Sequence, residues 1–261
     1  MSALLAPIAR LYKLLPESVR YRVRPLRRPA WSMFGYALWR ATRGETYIGP
    51  FKGLQHGSRP QRSTLVGTFE RELHDWLEQL FAQPFDTVVN VGGGAGYYAA
   101  GIARRLPHAT MTVFESNPAA RAVVDDTLRL NGIAGRVTVL GECTLETLSR
   151  ALSGRSRTLV VMDVEGAEKT LLDPDAIPAL RRATILVETH DVFVPGTHDA
   201  IRSRFAATHA IDERTIVPRT MADYPDELLP LLRRLMRRSA LNSINEWRQP
   251  PSAWLLLVPR P

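Results

Sequence analysis

Short runs of apolar and β-branched residues recur along the chain and alternate with longer amphipathic stretches. The runs predict seven strands, at residues 87–91, 110–115, 136–140, 158–163, 184–188, 211–217 and 253–258. The stretches have apolar positions three and four residues apart and predict helices, at residues 69–81, 98–106, 118–130, 145–152, 167–172 and 198–208. This alternation predicts an α/β fold with a doubly wound, mostly parallel, seven-stranded sheet.

Three segments need a separate interpretation. Residues 1–42 predict two short helical stretches broken at prolines 16, 25 and 29, and residues 44–62 predict a loop or short hairpin. Thr68 is the expected N-cap of the helix over 69–81. Residues 225–238 predict one basic amphipathic helix, with an apolar face formed by Leu228, Leu231, Leu232 and Leu235. We expect this helix to pack on the sheet, and a membrane anchor is the alternative. We therefore predict an N-terminal helical extension, residues 1–62, and a catalytic domain, residues 63–261.

Positive charge is concentrated in the predicted extension. Residues 1–62 contain 12 Lys and Arg and two acidic residues, which give a net charge of +10. The net charge of the whole sequence, 261 residues, is +8. The remaining residues contain 22 basic and 24 acidic residues, a net charge of −2. The extension is expected to pack on the body or on a partner subunit of a homo-oligomer, with its charges solvated. Peripheral contact with an anionic membrane is the alternative, and nucleic-acid binding is not expected.

The cellular setting follows from what the sequence lacks. Cys143 is the single cysteine, which excludes an internal disulfide and most cysteine-based metal sites. No apolar run approaches the roughly 20 residues that span a bilayer, and the first ten residues do not resemble a signal peptide. We expect a cytoplasmic protein.

A cluster of glycines separates the first predicted strand from the next helix. Gly92, Gly93, Gly94 and Gly96 leave backbone N–H groups and the positive helix end open to a nucleotide-like or carboxylate-bearing ligand. The segment that begins at Gly94, Gly-Ala-Gly-Tyr-Tyr-Ala, satisfies a dinucleotide fingerprint, and Glu115 ends the next strand 21 residues later. This pattern alone does not choose between NAD and S-adenosylmethionine.

Carboxylates follow the fourth predicted strand, at the sheet edge where α/β proteins bind ligands. Residues 163–168 are Asp-Val-Glu-Gly-Ala-Glu, and Leu-Leu follows at 171–172. With Gly-Thr-Phe-Glu at 67–70 and Val-Glu-Thr-His at 187–190, residues 64–205 resemble the FkbM-type family of S-adenosylmethionine-dependent methyltransferases. One departure is Asn90, where methyltransferases usually have Asp or Glu.

The resemblance implies a class I methyltransferase-like (Rossmann-like) fold and methyl transfer from S-adenosylmethionine to an oxygen of a glycan or small molecule. It implies that three glycines border the methionine part of the cofactor, that Glu115 accepts hydrogen bonds from the ribose hydroxyls, and that Asn117 flanks the adenine. Glu142 and Cys143 would line the adenine edge, although Cys143 is equally well explained as a small buried residue. The implied cofactor-binding residues are thus Asn90, Gly92, Gly94, Gly96, Glu115, Asn117, Glu142 and Cys143.

Methyl transfer to a hydroxyl requires alignment of the acceptor and removal of its proton. We predict Asp163, His190 and Asp191 as catalytic residues, with His190 as the base because histidine titrates near neutral pH. His190 and Asp191 directly follow the fifth predicted strand and should therefore face the same cleft as Asp163. A structural role for His190 is the competing interpretation. No metal is required by this scheme, but Asp163, Glu165 and Asp191 are weak candidates for a Mg²⁺ site. The alternative for Glu165 and Glu168 is capping of the following helix.

Two other functions compatible with the glycine loop stay open. An NAD-dependent oxidoreductase would use the same fingerprint, but the sequence lacks Tyr-x-x-x-Lys or a comparable proton donor. A non-catalytic cofactor-binding scaffold, recruited through residues 1–62, would tolerate substitution of Asp163 and His190. The sequence does not specify the acceptor.

Overall fold

In the computed structural model, the described residues are 29–57, 60–246 and 253–260. The α-helices are α1 (Pro29–Thr42), α2 (Arg62–Val66), α3 (His74–Phe81), α4 (Tyr97–Arg105), α5 (Pro118–Leu130), α6 (Leu145–Leu152), α7 (Glu168–Leu171), α8 (Thr197–Phe205), α9 (Pro230–Leu235) and α10 (Arg237–Ile244). The strands are β1 (Thr87–Val91), β2 (Thr110–Phe114), β3 (Val137–Leu140), β4 (Thr158–Met162), β5 (Thr184–Thr189), β6 (His209–Thr215) and β7 (Ala253–Pro259).

The seven strands form one sheet in the order β3-β2-β1-β4-β5-β7-β6. The pairs among β1 to β5 are parallel, whereas β7 runs antiparallel to both β5 and β6. This order, with an antiparallel strand between the fifth and sixth, confirms the predicted class I methyltransferase-like fold. It differs from the dinucleotide-binding order 3-2-1-4-5-6, which has no such inserted strand.

The centre of the sheet is buried on both faces, so every residue of β1 and β4 is buried and most of them are apolar. On one face, Val88 and Val161 pack in a cluster with residues of α3, α4 and α5. On the other face, Val89 and Val160 pack in a second cluster with residues of α6 and α8. The helices therefore hold the carboxyl ends of β1, β4 and β5 in fixed positions at one edge.

A third apolar cluster joins the described part of the predicted extension to the rest of the chain. Phe34 and Leu38 of α1 are fully buried and pack with Val66 of α2 and with Ala240 and Ile244 of α10. Residues on both sides of the predicted boundary at 62 thus share one core. The short hairpin predicted within 44–62 is present as a bridge between residues 45 and 55. Predictions for residues 1–28 fall outside the described residues.

The predicted helix over 69–81, with Thr68 as its N-cap, is wrong at its start. A 3₁₀ turn, Arg71–Leu73, comes first, and α3 begins only at His74. Glu70 adopts a left-handed backbone conformation (φ 47°), which prevents a helix from passing through this position. The hydroxyl of Thr68 is buried and has no hydrogen-bond partner among the described residues, so it caps nothing.

The single basic helix predicted at 225–238 is also wrong. The segment forms two short helices, α9 and α10, which meet at Met236, a residue outside the helical region (φ −118°, ψ 43°). Leu228 and Leu232 pack in the third cluster with α1, α2 and α10 rather than on the sheet, whereas Leu231 and Leu235 are exposed. No helix in the described part of the chain is long and apolar enough to cross a membrane.

Candidate active site

The glycine loop between β1 and α4 is held by backbone hydrogen bonds and by close approach of two strand ends. A Cβ atom at Gly92 (φ 91°) would lie 1.8 Å from the carbonyl oxygen of Asp163, so only glycine allows β1 and β4 to end side by side. Gly94 (φ 52°) faces open space: apart from its chain neighbours, no heavy atom of the described residues lies within 4 Å of a Cβ built on it. Gly96 (φ 80°) is the N-cap of α4. The loop therefore exposes its backbone at Gly94, where a ligand can approach closely.

Glu115 joins this loop to the end of β2. One carboxylate oxygen of Glu115 accepts a hydrogen bond from the backbone N–H of Gly94 at 2.8 Å, and the other accepts from the N–H of Asn117 at 2.8 Å. An ionised carboxylate has about four acceptor positions, so two remain for other donors. The half-buried Glu115 thus fits the role of a ribose ligand beside the open backbone of Gly94.

The three residues predicted around the adenine have different environments. The side-chain oxygen of Asn117 accepts a hydrogen bond from the N–H of Ala119 at 2.9 Å and caps α5. Glu142 is exposed. Cys143 packs against the second apolar cluster, and burial raises the pKa of its thiol to about 12. The thiol is therefore neutral, in keeping with the interpretation of Cys143 as a small buried residue.

Asn90 is buried in β1. Its amide nitrogen donates to the carbonyl oxygen of Val161 on β4 at 3.3 Å, and this contact does not involve the glycine loop. Its side-chain oxygen is buried and accepts no hydrogen bond from any described residue. Leaving such an atom without a donor costs about 1–3 kcal/mol. Asn90 thus offers an acceptor to a bound water or ligand.

His190 lies between carboxylates from two neighbouring strand ends. Its Nδ1 is 2.7 Å from Oε1 of Glu168, while its Nε2 is 3.5 Å from Oδ1 of Asp163 and 3.6 Å from Oε2 of Glu188. Asp163 follows β4 directly, and His190 follows β5 directly. The edge predicted from the sequence therefore does bring Asp163 and His190 together.

Glu168 also organises the loop that precedes it. The side chain is fully buried, and it accepts hydrogen bonds from the backbone N–H of Val164 at 3.2 Å and of Gly166 at 2.8 Å. The loop 163–168 therefore folds around the carboxylate that contacts Nδ1 of His190. The predicted alternative, in which Glu165 and Glu168 cap the following helix, is wrong: no side-chain hydrogen bond from the described residues caps α7, and the N–H groups bound by Glu168 belong to the loop before it.

The pKa of His190 is raised above its ordinary value. Burial of the imidazole opposes its protonation, but the hydrogen bond to Glu168 and the charges of Glu188, Glu168 and Asp163 together outweigh that effect. The ring is only 8% exposed. The surrounding carboxylates therefore favour the protonated form of His190 and make the imidazole more basic.

The side chain of Asp191 does not lie where its predicted catalytic role requires. Its two carboxylate oxygens accept hydrogen bonds from the backbone N–H groups of Gly196 at 2.9 Å and His198 at 3.1 Å. These contacts fix the turn that leads into α8. Adjacency in sequence brought Asp191 into the prediction, but its side chain is engaged at the helix start and not with Asp163.

The predicted metal candidates do not come together either. Glu165 is exposed and has a left-handed backbone (φ 52°), and Asp191 binds the N–H groups of Gly196 and His198 at the start of α8. Among the described residues, the one group of three possible ligands is Asp163, Glu188 and His190, whose ligand atoms lie within 4.8 Å of one another. Mg²⁺ prefers six oxygen ligands, and this set includes an imidazole nitrogen. The donor set therefore does not fit the predicted Mg²⁺, and no step is assigned to it.

Glu188 is a site residue that the sequence prediction missed. It stands two residues before His190, and alternate residues of a strand point to the same side of the sheet. Its side chain is buried beside the imidazole, 2% exposed. The two-residue spacing of Glu188 and His190 could have indicated that both side chains face the site. A single carboxylate within an apolar strand, however, does not by itself indicate a functional residue.

Comparison with known proteins adds a likeness of structure only. No family model and no curated protein matches the sequence. The cofactor-bound Rv0187 from MTB shares 18% identity over 93% of this chain and 96% of that chain, with a TM-score of 0.44. An O-methyltransferase from Bacillus cereus, solved with SAH, shares 13% identity over 92% and 97%, with a TM-score of 0.47. The O-methyltransferase TomG from Streptomyces achromogenes, solved with SAM, shares 17% identity over 94% and 100%, with a TM-score of 0.45. At these values, neither the reaction nor the ligand of those proteins transfers to this chain.

Proposed function

We propose that this protein is an S-adenosylmethionine-dependent methyltransferase, similar to the FkbM-type family, that methylates a hydroxyl of a glycan or small molecule. The observation that carries the proposal is His190, held by Glu168 and facing Asp163, at the same sheet edge as the loop formed by Gly92, Gly94 and Gly96. A cofactor site and a candidate base at one edge are what this reaction needs.

The glycine loop and Glu115 fit the cofactor. Glu115 keeps acceptor positions for ribose hydroxyls, and the exposed backbone at Gly94 leaves room for the methionine part. The side-chain oxygen of Asn90, which has no partner among the described residues, adds an acceptor in β1, the strand before the loop. S-adenosylmethionine, when bound, supplies a methyl group on a positively charged sulfur. These residues would bind and orient it.

His190 serves as the base in this proposal. With the Nδ1 proton donated to Glu168, the neutral imidazole has its lone pair on Nε2, where it can accept the proton of an acceptor hydroxyl. Asp163 and Glu188 then stabilise the imidazolium, since their oxygens lie 3.5 and 3.6 Å from Nε2. Glu168 is a positioning residue, because it acts on the acceptor only through the orientation of His190.

The sheet argues against the NAD-dependent alternative. Dinucleotide-binding sheets of the common order have β6 beside β5, whereas here antiparallel β7 lies between them. The scaffold alternative would need a cofactor site but no base. The buried arrangement of His190 with three carboxylates favours catalysis, since perturbed histidines cluster at functional sites. Cytoplasmic location, the lack of a nucleic-acid partner and homo-oligomerisation stay predictions.

The test of the reaction is transfer of a labelled methyl group from S-adenosylmethionine to a panel of monosaccharides, oligosaccharides and sugar nucleotides. We expect label in at least one hydroxyl acceptor, and a rate about 10²- to 10⁴-fold lower in His190→Asn. The matched control is His198→Asn. The contact of His198 with Asp191 uses the backbone N–H, which this substitution keeps, so the variant should transfer methyl groups at the native rate. Tight cofactor binding without any label transfer would contradict the proposal and favour the scaffold.

A further inference from the structure

Helix α9 presents two leucines to solvent. Leu231 is 64% exposed and Leu235 is 77% exposed, although Leu228, before the helix, is 2% exposed in the third cluster. Positions 231, 234 and 235 lie on one face of a helix, so the exposed Arg234 stands between the two leucines. Two neighbouring leucines at this exposure form an apolar surface that a membrane or another molecule can cover.

Two more arginines follow this pair in the sequence. Arg237 and Arg238 follow at the start of α10, and both are exposed. Within residues 29–57, 60–246 and 253–260, no carboxylate lies within ion-pair distance of Arg234, Arg237 or Arg238. An open cavity of about 300 Å³ borders the face. Its lining residues are Met221, Asp226, Pro230, Arg233, Arg234 and Arg237, and the one acid among them is paired with Arg233.

The segment that contains this face lies at the same sheet edge as the candidate site. It joins the end of β6, Thr215, to the start of β7, Ala253. Ala253 pairs with both Thr215 and Thr189, and His190 follows Thr189. The segment with the exposed leucines and the loop with the candidate base therefore begin at the same edge of the sheet.

We propose that Leu231, Arg234, Leu235, Arg237 and Arg238, here named the docking face, bind the surface of an anionic lipid bilayer. Leucine side chains at the headgroup boundary lose their contact with water, and guanidinium groups bind lipid phosphates. Charge complementarity favours a membrane, because the docking face has three arginines and no described carboxylate lies within ion-pair distance of any of them. This proposal does not depend on the methyltransferase reaction.

The test is sedimentation of the full-length protein with vesicles of phosphatidylcholine alone or with about 30% phosphatidylglycerol. We expect binding to the anionic vesicles only. Leu231→Ser with Leu235→Ser, and separately Arg234→Gln with Arg237→Gln and Arg238→Gln, should each weaken binding at least about tenfold. The matched control is Val123→Ser with Leu130→Ser, which replaces two exposed apolar side chains of α5 that are 47% and 45% exposed. This control should leave vesicle binding unchanged.

Folding of each variant is checked by its thermal midpoint, which should stay at the native value because all the substituted side chains are exposed. Native-like vesicle binding by both docking-face variants would overturn the proposal and assign the binding to residues 1–62. Absence of binding by the unaltered protein would also overturn it. Binding of S-adenosylmethionine, measured on the same samples, keeps either result separate from the proposed reaction.

Discussion

Nδ1 of His190 lies 2.7 Å from Oε1 of Glu168, a contact between residues 22 positions apart that joins the end of β5 to the loop after β4. Glu168 is fully buried and also binds two backbone N–H groups of its own loop, so its carboxylate cannot move without disturbing that loop. The contact therefore fixes both the tautomer and the orientation of His190, with Nε2 directed toward Asp163 and Glu188.

Glu168→Gln should lower the pKa of His190. In the native protein that pKa is above 6.5, and the variant loses a charged hydrogen-bond acceptor that raises it. The raised pKa means that protonated His190 stabilises the fold below about pH 6.5, and that this stabilisation disappears as pH rises through the native pKa. NMR titration of the histidine ring measures the change. Glu165→Gln, at an exposed position three residues earlier, is the control. An unchanged titration in Glu168→Gln would refute the positioning role.

Stability should fall on acidification because of His56. Burial lowers the pKa of His56 to about 4, and its ring accepts or donates a hydrogen bond with the Thr46 hydroxyl at 2.8 Å. Between about pH 6.5 and 4 the unfolded chain binds a proton that the folded chain does not, which costs at most about 3 kcal/mol. Thermal unfolding across this range should show a smaller decline for His56→Gln. The exposed His108→Gln should decline as the native protein does; equal slopes for both variants would argue against the effect.

Gly92→Ala should destabilise the protein by about 3 kcal/mol or more. The new Cβ would overlap the carbonyl oxygen of Asp163 at 1.8 Å, and the positive φ of 91° adds backbone strain. Chemical denaturation gives the free energy of unfolding. Gly135→Ala is the matched control, since a Cβ there meets no atom within 4 Å. A loss below 1 kcal/mol for Gly92→Ala would show that the two strand ends are not packed as described.

Arg219→Met should lower the free energy of unfolding by a similar amount, because it disrupts a buried ion-pair network. Nη2 of Arg219 lies 2.5 Å from Oε2 of Glu72 and 2.8 Å from Oε1 of Glu246, and all three side chains are at most 5% exposed. Removing the guanidinium takes the cation away from two buried carboxylates, at a cost of about 3–5 kcal/mol. Arg202→Met breaks an exposed pair with Glu213 and should cost less than about 1 kcal/mol. Equal unfolding free energies for the two variants would count against the buried network.

Local patterns were sufficient for much of the fold. The run Thr87–Val91 and the helix Pro118–Leu130 have the predicted bounds, because their apolar periodicity and their capping residues agree with the tertiary contacts. The glycine loop and the pairing of Asp163 with His190 followed from the rule that ligands bind at the carboxyl ends of parallel strands.

Other features depend on contacts between distant residues. Asp191 stands beside His190 in sequence, but the turn into α8 uses both of its oxygens. The helix predicted at 225–238 divides at Met236 because Leu228 and Leu232 pack against α1, α2 and α10, a partner surface that periodicity does not reveal. The contact of Glu168 with His190 joins two loops across the sheet edge, and no local pattern encodes it.

The most direct test of the account is calorimetric titration of the purified protein with S-adenosylmethionine, S-adenosylhomocysteine and NAD. We predict that both sulfur ligands bind and NAD does not. Glu115→Ala should weaken the sulfur ligands at least about tenfold, because it removes the carboxylate beside Gly94. Glu146→Ala, an exposed residue on α6, should bind like the native protein. Binding of NAD alone, or of none of the three ligands, would contradict the account.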